Sequence, residues 1–195
     1  MHSHRHPIEC IIPEHMLKEI ATKGTSAQKE KALDNIEVAY RLRAERAMRG
    51  SLLELYALPR AAGGGKERIV YDVRNGTSLP GTPVRREGDP PTADAAVDEA
   101  YDGSGITYDL FKDVYNRNSI NNNGMRLDSS VHYRTGYDNA FWDGKQMVYG
   151  DGDENLPVGE RLFNRFTIAL DIIAHELTHG VTQFEAKLVY SQQPG

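Results

Sequence analysis

Two histidines and a glutamate stand close together in the stretch IALDIIAHELTHG, near one end of the 195-residue sequence. His175 and His179 are four residues apart, which on a helix places both side chains on one face and one turn apart. Their imidazole nitrogens could therefore converge on one tetrahedral metal ion, and zinc suits imidazole ligands. Glu176 lies between them and could move a proton to and from a water molecule on that metal.

The alternative is an ordinary helix whose histidines are structural, because short patterns of this kind also arise by chance. The preceding apolar run IALDIIA would bury the helix, however, and buried polar side chains need partners. A metal ion supplies such partners, so we favour a zinc site with the H-E-x-x-H spacing of zinc metalloproteases. The metzincin extension is excluded by Thr182 and Glu185, and Glu185 points to another side of the helix. The third zinc ligand is therefore either missing or comes from elsewhere.

Composition narrows the class of protein. The net charge is −5, and 39% of the residues are hydrophobic, which is ordinary for a globular domain and argues against a nucleic-acid partner. No window is apolar enough for a membrane span, and MHSHRHPIEC has no signal-peptide core. The single cysteine, Cys10, excludes an internal disulfide bond. These features predict a cytoplasmic protein, with export by a non-classical route as the alternative.

The first 60 residues predict a helical hairpin. One helix covers Pro13 to Ala21, and a second begins at a Thr25-x-x-Gln28 capping box and ends at Gly50. The apolar stripe predicted for the second helix consists of Leu33, Ile36, Tyr40, Ala44 and Met48. Such a hairpin buries little by itself, so we expect it to dock on the rest of the chain. The glycine-rich segment 61–66 follows as a flexible linker, which is either an ordinary connection or a processing site.

Residues 67–195 predict a mixed domain. RIVYDVRNG indicates a strand with a turn at Asn75-Gly76, and a long helix follows with Thr92 as its cap. SSVHYRTGYDNAFWDGKQMVYGDGD then indicates two or three strands before the histidine-bearing helix. The acidic turn Gly150–Asn155 could hold calcium, although a solvated turn is the preferred interpretation. The predicted fold class is α+β, with a mixed sheet region and a long zinc-binding helix.

Several segments, in the same order, resemble the thermolysin-like zinc metalloproteases. They are DIIAHELTHGVTQFEAKLVY, the specific tetrapeptide NAFW with its flanks, and AAVDEAYDGSGITYDLFKDVYNRNS. The resemblance covers about Glu67 to Gly195. The short N-terminal part, with CIIPEHM at Cys10 to Met16, is similar to the prosequence of the protealysin-like branch, although that branch often has two adjacent prolines where this chain has Pro13-Glu14.

The resemblance implies roles for individual residues. His175 and His179 would bind zinc, Glu176 would be the acid/base, and Tyr190 would stabilise the tetrahedral intermediate. The substrate main chain would be held by Asn139 and Ala140, with Phe141 lining a subsite. Asp171 would take part in a calcium site. The alternative for Phe141, and for its neighbour Trp142, is that the side chain only packs in the core.

The resemblance also implies a domain organisation and an activity. Residues 1–60 would be a propeptide, and residues 67–195 would be the N-terminal catalytic domain of a precursor. That precursor would hydrolyse peptide bonds on the amino side of bulky apolar residues in peptides or proteins. The third ligand would lie just past Gly195, so a separate C-terminal fragment would have to supply it. The alternative is an inactive fragment, or a propeptide-inhibited binding module without a complete zinc site.

Overall fold

The computed structural model of the chain describes residues 11–56 and 64–186. In chain order its elements are α1 Glu14–Lys23, α2 Ser26–Tyr56, β1 Arg68–Asp72, β2 Thr82–Arg86, α3 Ala95–Tyr115, β3 Leu127–Val131, β4 Ala140–Trp142, β5 Met147–Tyr149 and α4 Leu170–Glu185. Two 3-10 turns, Val158–Glu160 and Phe166–Ile168, lie between β5 and α4. The predicted α+β class is confirmed. Within the described ranges, no helix has the length and apolarity needed to cross a bilayer.

The five strands form one mixed sheet in the order β2-β1-β3-β5-β4. β1, β3 and β5 run parallel, while β2 and β4 pair antiparallel at the two edges. β4 pairs with β5 so that Phe141 lies opposite Val148. Because β4 is an edge strand, its outer backbone groups are not paired with another strand of the sheet, and such an edge can pair with a peptide.

Alternation along β4 and β5 divides the core into two parts. Ala140 and Trp142 join the larger cluster, to which α3 and α4 also contribute, whereas Phe141 and Val148 belong to the smaller one. Gly103 of α3 allows α4 to approach closely, since a Cβ there would lie 2.4 Å from Ile173 Cδ1. The sheet and α3 therefore fix the position of α4, which carries the histidines.

The hairpin docks on the domain as expected. Its capping box is confirmed, because Thr25 N donates to Gln28 Oε1 at 2.9 Å and Gln28 N donates to Thr25 Oγ1 at 3.4 Å. The predicted end at Gly50 is wrong, since α2 continues to Tyr56. One glycine inside a helix costs only about 1 kcal/mol relative to alanine, and the strong helix formers that follow it outweigh that cost.

The predicted apolar stripe of α2 is wrong at two positions, although Ile36 is partly buried against the larger core cluster. The side chains of Ala44 and Met48 lie outside the described residues. Leu33 is 58% exposed and Tyr40 is 44% exposed. The buried positions are instead Ala32, Asn35, Val38 and Ala39. Val38 packs into the smaller core cluster with Phe141 and Val148, so the shape of the receiving surface selects small side chains here. Hydrophobicity alone could not identify that face.

The N-terminal cap of α3 is Asp94 and not the predicted Thr92. Asp94 Oδ1 accepts from Ala96 N at 2.9 Å and from Val97 N at 3.4 Å. Thr92 is held by Asp98 instead, to which it donates both its amide and its hydroxyl hydrogen. Asp and Thr are both good caps, and the start of the helix at Ala95 makes Asp94 the cap.

His132 joins three elements at this point. It follows β3, its Nε2 lies 2.8 Å from Asp94 Oδ2, and its Nδ1 lies 2.8 Å from Asp151 Oδ2 beyond β5. The hydrogen bond to Asp151, followed by that to Asp94, raises the pKa of His132 to about 9. The protonated imidazole therefore bridges two carboxylates at neutral pH.

We expect this bridge to make stability depend on pH in the alkaline range. The folded pKa of about 9 exceeds the unfolded value of 6.5, so the stabilisation is fully present below pH 6.5 and disappears as pH rises through 9. Replacing His132 with Asn, which tolerates the left-handed backbone found there (φ 55), should lower the free energy of unfolding by about 2 kcal/mol at pH 6. The difference should shrink towards pH 10 in urea titrations. A gap that stays constant with pH would contradict a charged bridge.

Candidate metal centre

α4 presents one apolar face to the core and carries the candidate metal ligands along the edge of that face. Ile173, Glu176, Leu177 and Gly180 are buried, at the three- and four-residue spacing of a helix face. His175 is exposed and His179 is half-buried. The histidines therefore lie at the boundary between core and surface, where a metal ion could meet both protein and substrate.

The two histidines converge on one point. His175 Nε2 and His179 Nε2 are 2.9 Å apart, and the ring planes are nearly perpendicular at 88°. Two nitrogens on a tetrahedral zinc ion lie about 3.3 Å apart. Ligand atoms of His175, Glu176 and His179 all lie within 4.8 Å of one another, the one such group of three found among the described residues. The donor set and its geometry therefore fit zinc.

Glu176 is fully buried despite its charge. Its Oε2 accepts a hydrogen bond from Trp142 N at 3.1 Å, which ties the carboxylate to the end of β4. Trp142 is tied to α4 a second time, because its Nε1 donates to Gln183 Oε1 at 3.0 Å. The helix with the acid/base candidate and the edge strand are thus fixed to each other. No sequence pattern indicates the Gln183 contact, because the two partners are 41 residues apart.

The outer edge of β4 already holds a segment of the same chain. Ile11 N donates to Ala140 O at 3.2 Å, and Ile12 N donates to Asn139 Oδ1 at 3.0 Å. Asn139 Nδ2 in turn donates a hydrogen bond to Ile12 O at 3.4 Å. Asn139 and Ala140 therefore contact peptide main chain of the same chain, and the substrate contact that the family resemblance implies for them remains a prediction.

The remaining predicted site residues are less closely associated with this group. Phe141 is fully buried and packs edge-on against Tyr133 and Tyr137, so it faces the smaller core cluster while α2 is docked. Asp171 is exposed in the first turn of α4, one turn before His175. Tyr190 lies outside the described residues. The subsite, calcium and intermediate-stabilising roles of these three residues remain predictions.

The acidic turn at Gly150–Asn155 is not the solvated turn that we preferred from sequence. Asp151 is paired with His132, and Asp153 is buried with only 1% exposed surface. Asp153 forms an ion pair with Lys31 of α2. Cationic side chains from distant segments thus neutralise two of its carboxylates, and local composition does not reveal them.

Comparison with known proteins places these features in context. Residues 54–183 match the family model described as thermolysin metallopeptidase, catalytic domain. The chain is 43% identical, over 97% of its length, to an extracellular metalloprotease of Pectobacterium carotovorum subsp. carotovorum, and it spans 51% of that protein. It is 49% identical over 128 residues to Protease PrtS of Photorhabdus sp. (strain Az29), which is 66% of this chain and 33% of that protein.

A solved structure is also similar. The precursor of protealysin, a metalloproteinase from Serratia proteamaculans, superposes with a TM-score of 0.75 at 42% sequence identity. The match covers 95% of this chain and 50% of that one. The chain thus spans about half the length of the precursor structure and of the Pectobacterium relative.

Proposed function

Because this chain belongs to the thermolysin metallopeptidase family, we propose that it forms the N-terminal part of a zinc endopeptidase precursor. His175 and His179 would hold the zinc ion, and Glu176 would be the acid/base. The substrates would be peptides or proteins cleaved on the amino side of bulky apolar residues. The observation that carries the proposal is the convergence of the two imidazoles next to a strand edge that already binds peptide main chain.

Each residue of the site has a role in this mechanism. A bound zinc ion would supply Lewis acidity, which lowers the pKa of a water molecule and polarises the peptide carbonyl group. Asn139 and Ala140 would align the peptide along β4 by main-chain hydrogen bonds. Glu176 would accept the proton of the attacking water and donate it to the leaving amine. Trp142 N would hold the Glu176 carboxylate in place.

We further propose that residues 1–60 are a propeptide that keeps the precursor latent until the segment 61–66 is cleaved. Support comes from Ile11 and Ile12, which take the β4 edge that a substrate would need. Among the described residues, the metal group contains two histidines and one glutamate, so the third zinc ligand is proposed to come from a C-terminal polypeptide. Calcium at Asp171 is proposed on the family resemblance.

The central test is zinc binding by the 195-residue chain, measured with and without the downstream polypeptide. We expect one zinc ion per chain by elemental analysis, bound more tightly when that polypeptide is present. His179→Ala should weaken zinc binding by about 100-fold or more, because it removes one of the metal ligands. His15→Ala is the matched control, since His15 is an exposed histidine of α1.

A chelator-sensitive peptidase assay completes the test. Activity that requires both zinc and the downstream polypeptide would support an active site completed by that polypeptide. Zinc binding unaffected by His179→Ala would overturn the metal assignment. Zinc without peptidase activity, in the presence of the downstream polypeptide, would favour the propeptide-inhibited binding module instead.

Latency should depend on Ile12. Its side chain is 5% exposed in the larger core cluster, so Ile12→Asp would bury an unpaired charge and weaken the docking of this segment. We expect peptidase activity of the unprocessed full-length precursor to rise at least about 10-fold, the change that roughly 1.4 kcal/mol of lost docking energy gives. Met16→Asp is the control, because Met16 is 46% exposed on α1. An Ile12→Asp precursor as latent as the wild type would exclude this inhibitory contact.

A further inference from the structure

A lysine of the N-terminal hairpin lies in a pocket with two buried carboxyl groups. Lys31 Nζ forms an ion pair with Asp153, which is 1% exposed. Asp138 is 3% exposed, and its Oδ1 has no hydrogen-bond partner within the described residues. Burial raises the pKa of Asp138 to about 6, although the nearby charge of Lys31 opposes that rise. Gly152 N donates to Tyr137 O at 3.1 Å, so the segments that carry Asp138 and Asp153 lie side by side, and the pocket brings two acidic groups near one cation.

Backbone hydrogen bonds fix the walls of the pocket. Asp153 N donates to Phe163 O at 2.8 Å, and Asp153 Oδ2 accepts from Leu162 N at 3.1 Å. These bonds fix the carboxylate with its other oxygen towards Lys31. Gly136 closes one side in a left-handed conformation (φ 62), where a Cβ would lie 3.4 Å from Lys31 Nζ. The acidic oxygens are therefore held in place by the domain and not by the lysine.

The cation, in contrast, comes from α2, which is part of the hairpin and not of the domain. Without Lys31, two carboxyl groups would remain in a poorly hydrated site, and unpaired buried charges are costly. The Lys31 side chain is 26% exposed, so solvent reaches part of it. A small cation from solution could therefore reach the position of the ammonium group.

We propose that Asp138 and Asp153 form a metal-binding pocket that Lys31 fills in the docked state and that takes a divalent cation, calcium, when the lysine is absent. Rigid carboxylate oxygens are the ligands that calcium prefers, and backbone carbonyls and water molecules can complete its coordination. The site shares no residue with the His175–Glu176–His179 group or with Asp171. The inference does not depend on peptidase activity.

The test is calcium binding by the full 195-residue chain with Lys31→Ala, measured by titration calorimetry and thermal melting in calcium-depleted buffer. We expect the variant to bind one calcium ion more than the wild type, with a dissociation constant of about 10⁻⁴ M, and to melt at a higher temperature in calcium. Adding Asp153→Asn or Asp138→Asn to Lys31→Ala should weaken this extra site by about 10-fold or more. Lys18→Ala is the matched control, because Lys18 lies on the hairpin surface with a 61% exposed side chain.

Two results would overturn the proposal. One is a Lys31→Ala chain with the calcium stoichiometry of the wild type, and the other is an extra site that persists after Asp153→Asn. Lys31→Ser provides a second variant where Lys31→Ala does not fold. Failure of both variants to fold in 10 mM calcium, a concentration roughly 100 times the expected dissociation constant, would equally contradict a pocket that accepts this ion.

Discussion

Replacing Glu176 with Gln should lower kcat/KM of the completed enzyme by about 10²–10⁴-fold while leaving its zinc content unchanged. Gln has the same shape, and its side-chain carbonyl can still accept the hydrogen bond that Trp142 N makes to Glu176 at 3.1 Å. It cannot take up a proton from the attacking water, so acid/base chemistry is lost. Peptidase assays and elemental analysis on the same preparation would separate the two effects.

Glu185→Gln is the matched control on the same helix. Glu185 is at the end of α4, with a 56% exposed side chain that pairs with Arg117, and it lies apart from the metal group. We expect the peptidase activity of Glu185→Gln to stay within about 2-fold of the wild type, because exposed ion pairs contribute little free energy. Peptidase activity that survives in Glu176→Gln would exclude Glu176 as the acid/base. Loss of zinc in that variant would indicate a role in metal retention.

Gly150→Ala should lower the free energy of unfolding by about 3 kcal/mol or more, which is at the upper end for overpacking a rigid site. A Cβ at this position would lie 2.0 Å from Tyr137 O. The backbone at Gly150 is held in place, because Gly150 N donates to Asn139 O at 3.0 Å and Gly150 O accepts from Phe166 N at 3.1 Å. The substitution would therefore disturb Asn139 as well as the fold.

Gly159→Ala provides the comparison for this stability measurement. A Cβ at Gly159 would meet no atom within 4 Å, so the change should alter stability by no more than about 0.5 kcal/mol. Urea unfolding followed by circular dichroism would measure both variants under the same conditions. Equal stabilities for the two variants would show that the backbone at Gly150 yields more easily than its hydrogen bonds indicate.

The N-terminal hairpin meets the domain through two kinds of contact. Ile12 binds the strand edge next to the metal group, whereas Lys31 enters the acidic pocket formed by Asp138 and Asp153. Asp34 forms a second ion pair, with Arg134 at 2.7 Å, in which the hairpin supplies the acidic partner. Because Lys31 and Asp34 are one turn apart on α2 and meet opposite charges, they fix the register of the helix on the domain. Removal of the hairpin would therefore open the peptide-binding edge and the acidic pocket together.

The sequence by itself determined the features that depend on neighbours along the chain. The four-residue spacing of His175 and His179 places both on one helix face wherever that helix packs. The Thr25-x-x-Gln28 box begins α2 because its hydrogen bonds close within one turn. The peptide-binding role of the NAFW segment came from its resemblance to the family, whereas the α+β class followed from the order of these elements.

Only the tertiary structure decided which surfaces meet. The face of α2 that is buried carries Val38 and not Leu33, because Val38 packs against the cluster that contains Tyr133, Tyr137 and Phe141. Lys31 and Asp153 are 122 positions apart in the sequence. Their ion pair neutralises Asp153 inside the turn Gly150–Asn155, whose acidic composition indicates a solvated turn. Burial and ion pairing are properties of three-dimensional neighbours, and local patterns contain no information about partners brought together by folding.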